Sequence, residues 1–378
     1  MSKIKFYEAI ATLIGMTIGA GILGIPYVIA QSGFLIGIIT ILVIAFMMLI
    51  VNLAIGEICL RTKGNHQLTG YAEKYLGKKG KVLMLTSLII GFYGALIAYI
   101  IGEGETLSAI IPLKPFVLSA IFFIVMTAML YFGLDTLSKS ELVLSGIKMA
   151  LLAIIATASF FVIKAENLIT IDLSQIFIPY GVVLFAFMGS AAIPEMKEEL
   201  FGEEKKLKKA IITGLAIITA VYILFALIFI GVNGKETTEV STLGLAKVLG
   251  NKILILGSLF AMLTMATSYI AVGFALKETY NYDLKINKMY SWFLTSSIPI
   301  LSYLILYVFD LMSFTNIIGI SGAISGSLSF ILIILMHQEA KKKGDRKPEF
   351  EIKITKLQAS FIITFFILAT IIYLTHFF

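Results

Sequence analysis

Charge is scarce in this chain of 378 residues, and so are cysteine and histidine. Asp, Glu, Lys and Arg make up 14% of it, where a soluble domain carries about 25%. The single cysteine, Cys59, excludes an internal disulfide and a thiolate metal cluster. The three histidines, His66, His337 and His376, are expected in loops or at the terminus, too scattered for a zinc site. Aspartates fall at the ends of apolar runs, so paired carboxylates for acid–base chemistry are missing, as is a Ser–His pair. These absences exclude an enzyme and give no reason to expect a metal or organic cofactor. No ring of like charge and no filter loop marks a channel either.

Apolar residues fill the chain instead, at 59%. Runs of roughly 20 residues, the length that crosses a bilayer, recur at about 6–31, 34–60, 82–110, 115–134, 141–163, 175–194, 209–232, 251–276, 289–308, 311–336 and 355–377. The breaks between them are short, so no soluble domain is attached and the partner of the surface is the lipid bilayer. The first run follows Lys3 and Lys5 as in a signal peptide, but it lacks a small-residue cleavage pattern and is long enough to be retained.

The net charge of +7 does not point to nucleic acid, because of where it lies. With the N-terminus in the cytoplasm, most Lys and Arg collect in the inside segments 61–81, 197–209, 277–288 and 341–356. The runs "KKLKK" (205–209) and "KKKGDRK" (341–347) then read as topology signals. The chain is expected to be a multi-pass protein of the cell membrane, N-terminus cytoplasmic and C-terminus extracellular. Nothing in the sequence specifies an oligomeric state.

Two of the runs interrupt themselves. "GMTIGAGILGIPY" (15–27) places Gly15, Gly19, Gly21, Gly24 and Pro26 where a spanning helix prefers leucine. Unpaired backbone is costly in hydrocarbon and survives only where it lines protein or a water-filled cavity. Close helix packing would also want small residues at 15 and 19. The sixth run tips the balance: "PYGVVLFAFMGSAAIPEMKEEL" (179–200) carries Gly189, Ser190, Ala191 and Ala192, then Pro194. Interrupted segments at matching positions of two halves point to a transporter's binding site. Because five runs is odd, the second unit enters the membrane from the opposite side.

The expected fold is therefore an all-α integral membrane protein with 11 transmembrane helices. A five-plus-five inverted repeat has discontinuous helices 1 and 6, with one appended helix. The repeats cover 1–164 and 165–340, and a cytoplasmic loop and helix 11 cover 341–378. The half-helix starting near Gly21 aims amides and a positive dipole end inward, which suits a carboxylate. The half-helices ending near Ile18 and Phe187–Met188 expose carbonyls, which suit an ammonium group or a cation. Carboxylate on one side and ammonium on the other is the head group of an amino acid.

The same stretches carry a family resemblance. "GMTIGAGILGIPYVIAQSG" resembles the first-helix signature of the amino acid–polyamine–organocation superfamily, and more narrowly of the amino acid/auxin permeases and the aromatic amino acid permeases. "LFAFMGSAAIPEM" is similar to their sixth helix, and "MATSYIAVGFALKETY" (265–280) to the eighth helix of the aromatic group. "GYAEKYLG" (70–77) resembles the loop after helix two, and "IGISGAISGSLSFIL" (318–332) the tenth helix. The resemblance implies substrate carboxylate on the backbone of Gly19, Ala20 and Gly21, and the amino group on carbonyls of Thr17, Ile18, Phe185 and Phe187. Phe185, Phe187 and Met188 would face the substrate side chain, with Gly189 and Ser190 in the gap. Tyr99, four residues before Glu103, matches a pocket tyrosine of relatives; its spacing fits an interface tyrosine equally.

Two features compete to couple transport to an ion. Lys148 stands inside the fifth run, and a lysine within a span is a functional hypothesis by default. In proton-coupled relatives a fifth-helix lysine reaches the first helix near the positions of Gly15 and Ile18. The bland reading is a snorkelling lysine, or one paired with Glu141. The rival is Thr267–Ser268, which resembles the hydroxyl half of a sodium site whose other half is the carbonyls of Gly15 and Ile18. Lysine at that place displaces sodium, so protons are favoured.

Elsewhere, Glu57–Arg61 and Asp135–Lys139 read as structural pairs. Glu103 and Glu105 read as solvated at the outer end of span three. The segment 239–250 reads as an outer lid, and loop 64–81 as its inner counterpart. The expected function is secondary active, proton-coupled uptake of neutral, aromatic-leaning amino acids by alternating access. The alternatives are sodium-coupled transport of small neutral amino acids, and an amino acid sensor that moves nothing.

Overall fold

The structure, a computed structural model, describes residues 2–132, 136–311 and 313–376. The pairings of Asp135 with Lys139 and of Glu141 with Lys148 lie outside the described residues. Among the described residues there is no strand, and helices follow one another through short connections. They are α1 (Ser2–Thr17), α2 (Gly21–Ser32), α3 (Phe34–Arg61), α4 (Leu68–Ser108), α5 (Pro115–Phe132), α6 (Thr136–Phe160), α7 (Ile178–Ala186) and α8 (Ala192–Glu199). After these come α9 (Leu207–Asn233), α10 (Ser241–Gly244), α11 (Ala246–Leu249), α12 (Asn251–Glu278), α13 (Lys288–Val308), α14 (Phe314–Ser321), α15 (Ser327–Lys343) and α16 (Lys356–Thr375).

Eight helical stretches among the described residues are long and apolar enough to cross a membrane. A ninth span forms if α1 and α2, bent by 59° at their junction, are counted together. The outer surface suits lipid: Leu42, Phe46, Ile124, Phe132, Ile305 and Phe361 are all exposed. Helix starts follow local chemistry. Pro115 opens α5, where a missing N–H costs nothing, and Thr355 and Gln358 close a capping box on α16.

Loop 64–81, the expected inner counterpart of the lid, is mostly helix. Leu68 already begins α4, which is interrupted by Gly77 at φ 72° and ψ −167°. Glycine adopts that backbone without steric penalty, so an interfacial turn of helix precedes the spanning part.

The broken pair α1–α2 packs on α7, α8 and α9, while α4 packs on α5, α12, α13, α14 and α15. Between α14 and α15 the chain winds as a π-helix over Gly322–Gly326, an irregularity often found at functional sites. Gly322 and Gly181 allow that turn to lie directly on α7, since a Cβ at Gly322 would fall 2.6 Å from Phe185 Cβ.

One end of the bundle is tied by a buried charge network. Glu57 Oε1 accepts from Arg61 Nε at 2.8 Å, so the expected structural pair is present. Glu57 Oε2 lies 2.9 Å from His337 Nε2 and accepts from the Ile352 amide at 2.7 Å. His337 is wholly buried on α15 rather than in a loop, because its ring fills the seam between α3 and α15. The segment after α15 is thereby strapped down, with Arg61 also pairing with Glu351 at 3.0 Å and Lys74 with Asp345.

Candidate functional site

The two helix breaks lie directly against each other. α1 ends at Thr17 and α2 begins at Gly21 without a side-chain cap. The Gly19 amide turns back onto Thr17 O at 2.9 Å, while the amides of Ala20 and Gly21 donate to nothing among the described residues. The second break is built the same way: α7 ends at Ala186, α8 begins at Ala192, and the amides of Ser190 and Ala191 are likewise unused. Each break thus offers two free donors at a positive helix end. Pro194 sits in the first turn of α8, where its missing N–H is harmless.

Small residues set the contact between the breaks. A Cβ on Gly21 would stand 3.0 Å from Ala186 Cα and 3.0 Å from Phe185 Cδ1. A Cβ on Gly189 would collide with Thr17 Oγ1, an oxygen that is buried with no hydrogen-bond partner among the described residues. Ser190 Oγ donates to Asn52 Oδ1 on α3 at 2.7 Å. Met188 reaches across to Gly91 on α4 and Gly326 of the π-turn. Phe187 is fully buried, edge-on to Tyr222 with ring centroids 5.0 Å apart.

Tyr222 and Asn52 are the site residues that sequence reasoning missed. The hydroxyl of Tyr222, on α9, lies 2.6 Å from Ala186 O and 3.0 Å from Thr17 O, bridging both breaks. A lone tyrosine within "AVYILF" has no periodic signal to single it out; its only cue is that a buried hydroxyl needs a partner. Ala186 is missed as well, in favour of its neighbours Phe185 and Phe187, whose carbonyls accept from Met188 and Gly189 amides at 3.0 and 2.8 Å.

Two of the coupling candidates meet between α6 and α12. Lys148 Nζ donates to Thr267 Oγ1 at 3.1 Å. Thr267 spends its own proton on Leu263 O at 2.8 Å, so its oxygen is free to accept. Ser268 Oγ stands 3.1 Å from where a Cβ of Gly19 would be. Tyr99, buried on α4, stands beside Ser268 and Tyr222, inside the bundle and away from its lipid face. Ile18 N continues α1 by bonding Ile14 O at 2.8 Å. Gly15 lies one turn earlier on α1, with open space where its Cβ would be.

Toward the other face, the expected lid is two short helices, α10 and α11. Ser241 donates to Leu23 O on α2 at 2.5 Å. Glu239 accepts from Ser313, the Thr315 amide and Thr315 Oγ1 at 2.8, 3.0 and 3.0 Å. The lid therefore ties α2 to the start of α14. Glu103 corrects an expectation: it is 1% exposed rather than solvated, with Oε2 lacking a partner among the described residues. α4 continues a full turn beyond it and carries it under α5 and α12. Glu105 is half-buried.

Comparison with known proteins gives this arrangement its context. The sequence profile of the tryptophan/tyrosine permease family matches residues 2–373. The chain belongs to that family. It is an amino acid permease of the membrane and not an enzyme. The permease is 28% identical over 282 residues to the tyrosine-specific transport system 1 of Haemophilus influenzae, covering 70% of each chain. It is 23% identical over 356 residues to glutamine transporter 2 of Aliivibrio fischeri, covering 90% of each. The crystal structure of MhsT in complex with L-phenylalanine superposes with a TM-score of 0.66 at 15% identity, over 100% of this chain and 99% of that one. At that identity the likeness shows a shared fold.

Proposed function

We propose that this permease imports a neutral amino acid, aromatic by preference, together with a proton. The observation that carries the reading is the Lys148 ammonium 3.1 Å from Thr267 Oγ1, whose neighbour Ser268 lies against Gly19 in the first break. A fixed cation there fills the place that a sodium ion would need, which leaves the proton of Lys148 as the mobile charge. The substrate carboxylate meets the unused amides of Ala20 and Gly21, and the ammonium meets the carbonyl ends of α1 and α7. Phe185 and Met188, with Gly189 and Ser190, bound the side chain. The names of the relatives support a neutral substrate, tyrosine first and glutamine second.

The chain crosses the membrane eleven times in this reading, with α1–α2 and α7–α8 each counted as one broken span. Residues 1–164 and 165–340 form inverted repeats of five spans, and 341–378 appends the last. The N-terminus faces the cytoplasm and the C-terminus the exterior, in keeping with the basic inside segments. Transport proceeds by rocking of the broken helices, which pack on each other where Gly21 meets Phe185 and Ala186. Counterflow of labelled tyrosine in proteoliposomes tests the substrate. Competition by tyrosine, phenylalanine and tryptophan ahead of glutamine and alanine is expected. Competition by charged amino acids alone would reject it.

A further inference from the structure

Tyr222 is the side chain whose single hydroxyl reaches both breaks, at 2.6 Å from Ala186 O and 3.0 Å from Thr17 O. A hydroxyl carries one proton, so one donor is divided between the last carbonyls of α1 and α7. Both helix ends are negative through their dipoles. Thr17 O also accepts the Gly19 amide, at 2.9 Å. Ala186 O accepts no amide among the described hydrogen bonds. The hydroxyl is held in place, because Tyr222 is 0% exposed and its ring is wedged edge-on against Phe187.

Two converging carbonyls that share one neutral proton are short of positive charge. An ammonium group has three donors and a full charge, and charge-assisted bonds are about twice as strong as neutral ones. We propose that Tyr222 is a positioning residue that stands in for the substrate's ammonium in the empty carrier. It satisfies the two carbonyls when no amino acid is present and cedes them when one arrives. The proposal rests on the reading of the two breaks as the amino acid site.

A specific kinetic signature follows. In exchange the carrier crosses loaded in both directions, so the carbonyls always have a donor. In net uptake it must return empty, and then Tyr222 supplies the only donor to Ala186 O among the described residues. Removing the hydroxyl leaves a buried acceptor unpaired only in the empty carrier, which slows or depopulates that step by about ten- to a hundredfold.

The test compares Tyr222→Phe with wild type in proteoliposomes, using labelled tyrosine in two modes. Proton-driven net uptake into empty vesicles is expected to fall at least about tenfold more than exchange into tyrosine-loaded vesicles. Equal loss in both modes, or no loss in either, overturns the proposal. Wild-type vesicles inactive in both modes would instead reject the amino acid site itself. If the variant is too unstable to reconstitute, its melting midpoint in detergent decides. Tyrosine is expected to raise that midpoint more in the variant than in wild type, because it restores the missing donor. An equal rise contradicts the proposal.

Discussion

Replacing Gly21 by alanine adds one methyl group where α2 packs closely on the end of α7. That Cβ would stand 3.0 Å from Ala186 Cα, 3.0 Å from Phe185 Cδ1 and 3.2 Å from Ala186 Cβ. Carbon atoms prefer about 3.5–4.0 Å, so α2 and α7 must separate by roughly half an ångström or more. The phenylalanine ring can turn aside, but Ala186 Cα is backbone and cannot. Overpacking of this kind costs about 1–3 kcal/mol, or a factor of roughly 5 to 150 in an equilibrium. The penalty falls on the state in which the breaks are packed together, and the same methyl crowds the Ala20–Gly21 amides that would hold a carboxylate.

Gly15→Ala, on α1 just before the break, is the control, since nothing lies within 4 Å of its Cβ position and alanine gains about 1 kcal/mol in helix propensity. Tyrosine affinity, measured by scintillation proximity on purified protein, is expected to fall by at least fivefold for Gly21→Ala and to hold for Gly15→Ala. Equal behaviour of the two variants would refute the placement of the site at the break.

Other consequences are as direct. Lys148→Ala removes the ammonium beside Thr267, so tyrosine exchange should persist while accumulation driven by a proton gradient is lost; pH-driven uptake at the wild-type level would show that Lys148 is structural. Glu57→Ala leaves Arg61, His337 and the Ile352 amide facing an empty place, and breaking such a buried pair costs about 3–5 kcal/mol. Its melting midpoint in detergent should drop well below that of Glu57→Gln, which keeps an acceptor for the amide, and matching midpoints would count against the network. Ser190→Ala strips the donor from Asn52 Oδ1 at a buried site, and a loss of about 1–3 kcal/mol in stability is expected, with Asn52→Leu,Ser190→Ala recovering part of it.

The breaks are legible in the sequence because glycine and proline weaken a spanning helix and are costly inside an apolar run unless the backbone opens there. Gly21 and Ala192 do start half-helices, and Thr17 and Ala186 end them. Lys148 is legible for a similar reason, as a charge with nowhere cheap to go. Tyr222, Asn52 and Ala186 are not legible, because a tyrosine, an asparagine or an alanine in a span says nothing of which way it faces. Their roles depend on three-dimensional convergence of α3, α7 and α9. Glu103 and His337 are misread on sequence position alone. Nearness to the end of an apolar run says little about burial, because α4 carries Glu103 under α5 and α12, and α15 extends beyond its run and takes His337 into the seam with α3. The start of α4 at Leu68 is hidden by lysines that sit comfortably on an interfacial helix.

Net uptake of labelled tyrosine into proteoliposomes, under an inward proton gradient and separately an inward sodium gradient, tests the coupling role of Lys148 most directly. Accumulation is expected with protons alone, and its loss is expected in Lys148→Ala. Accumulation with sodium alone, unchanged in that variant, would contradict it and move the coupling site to Thr267 and Ser268.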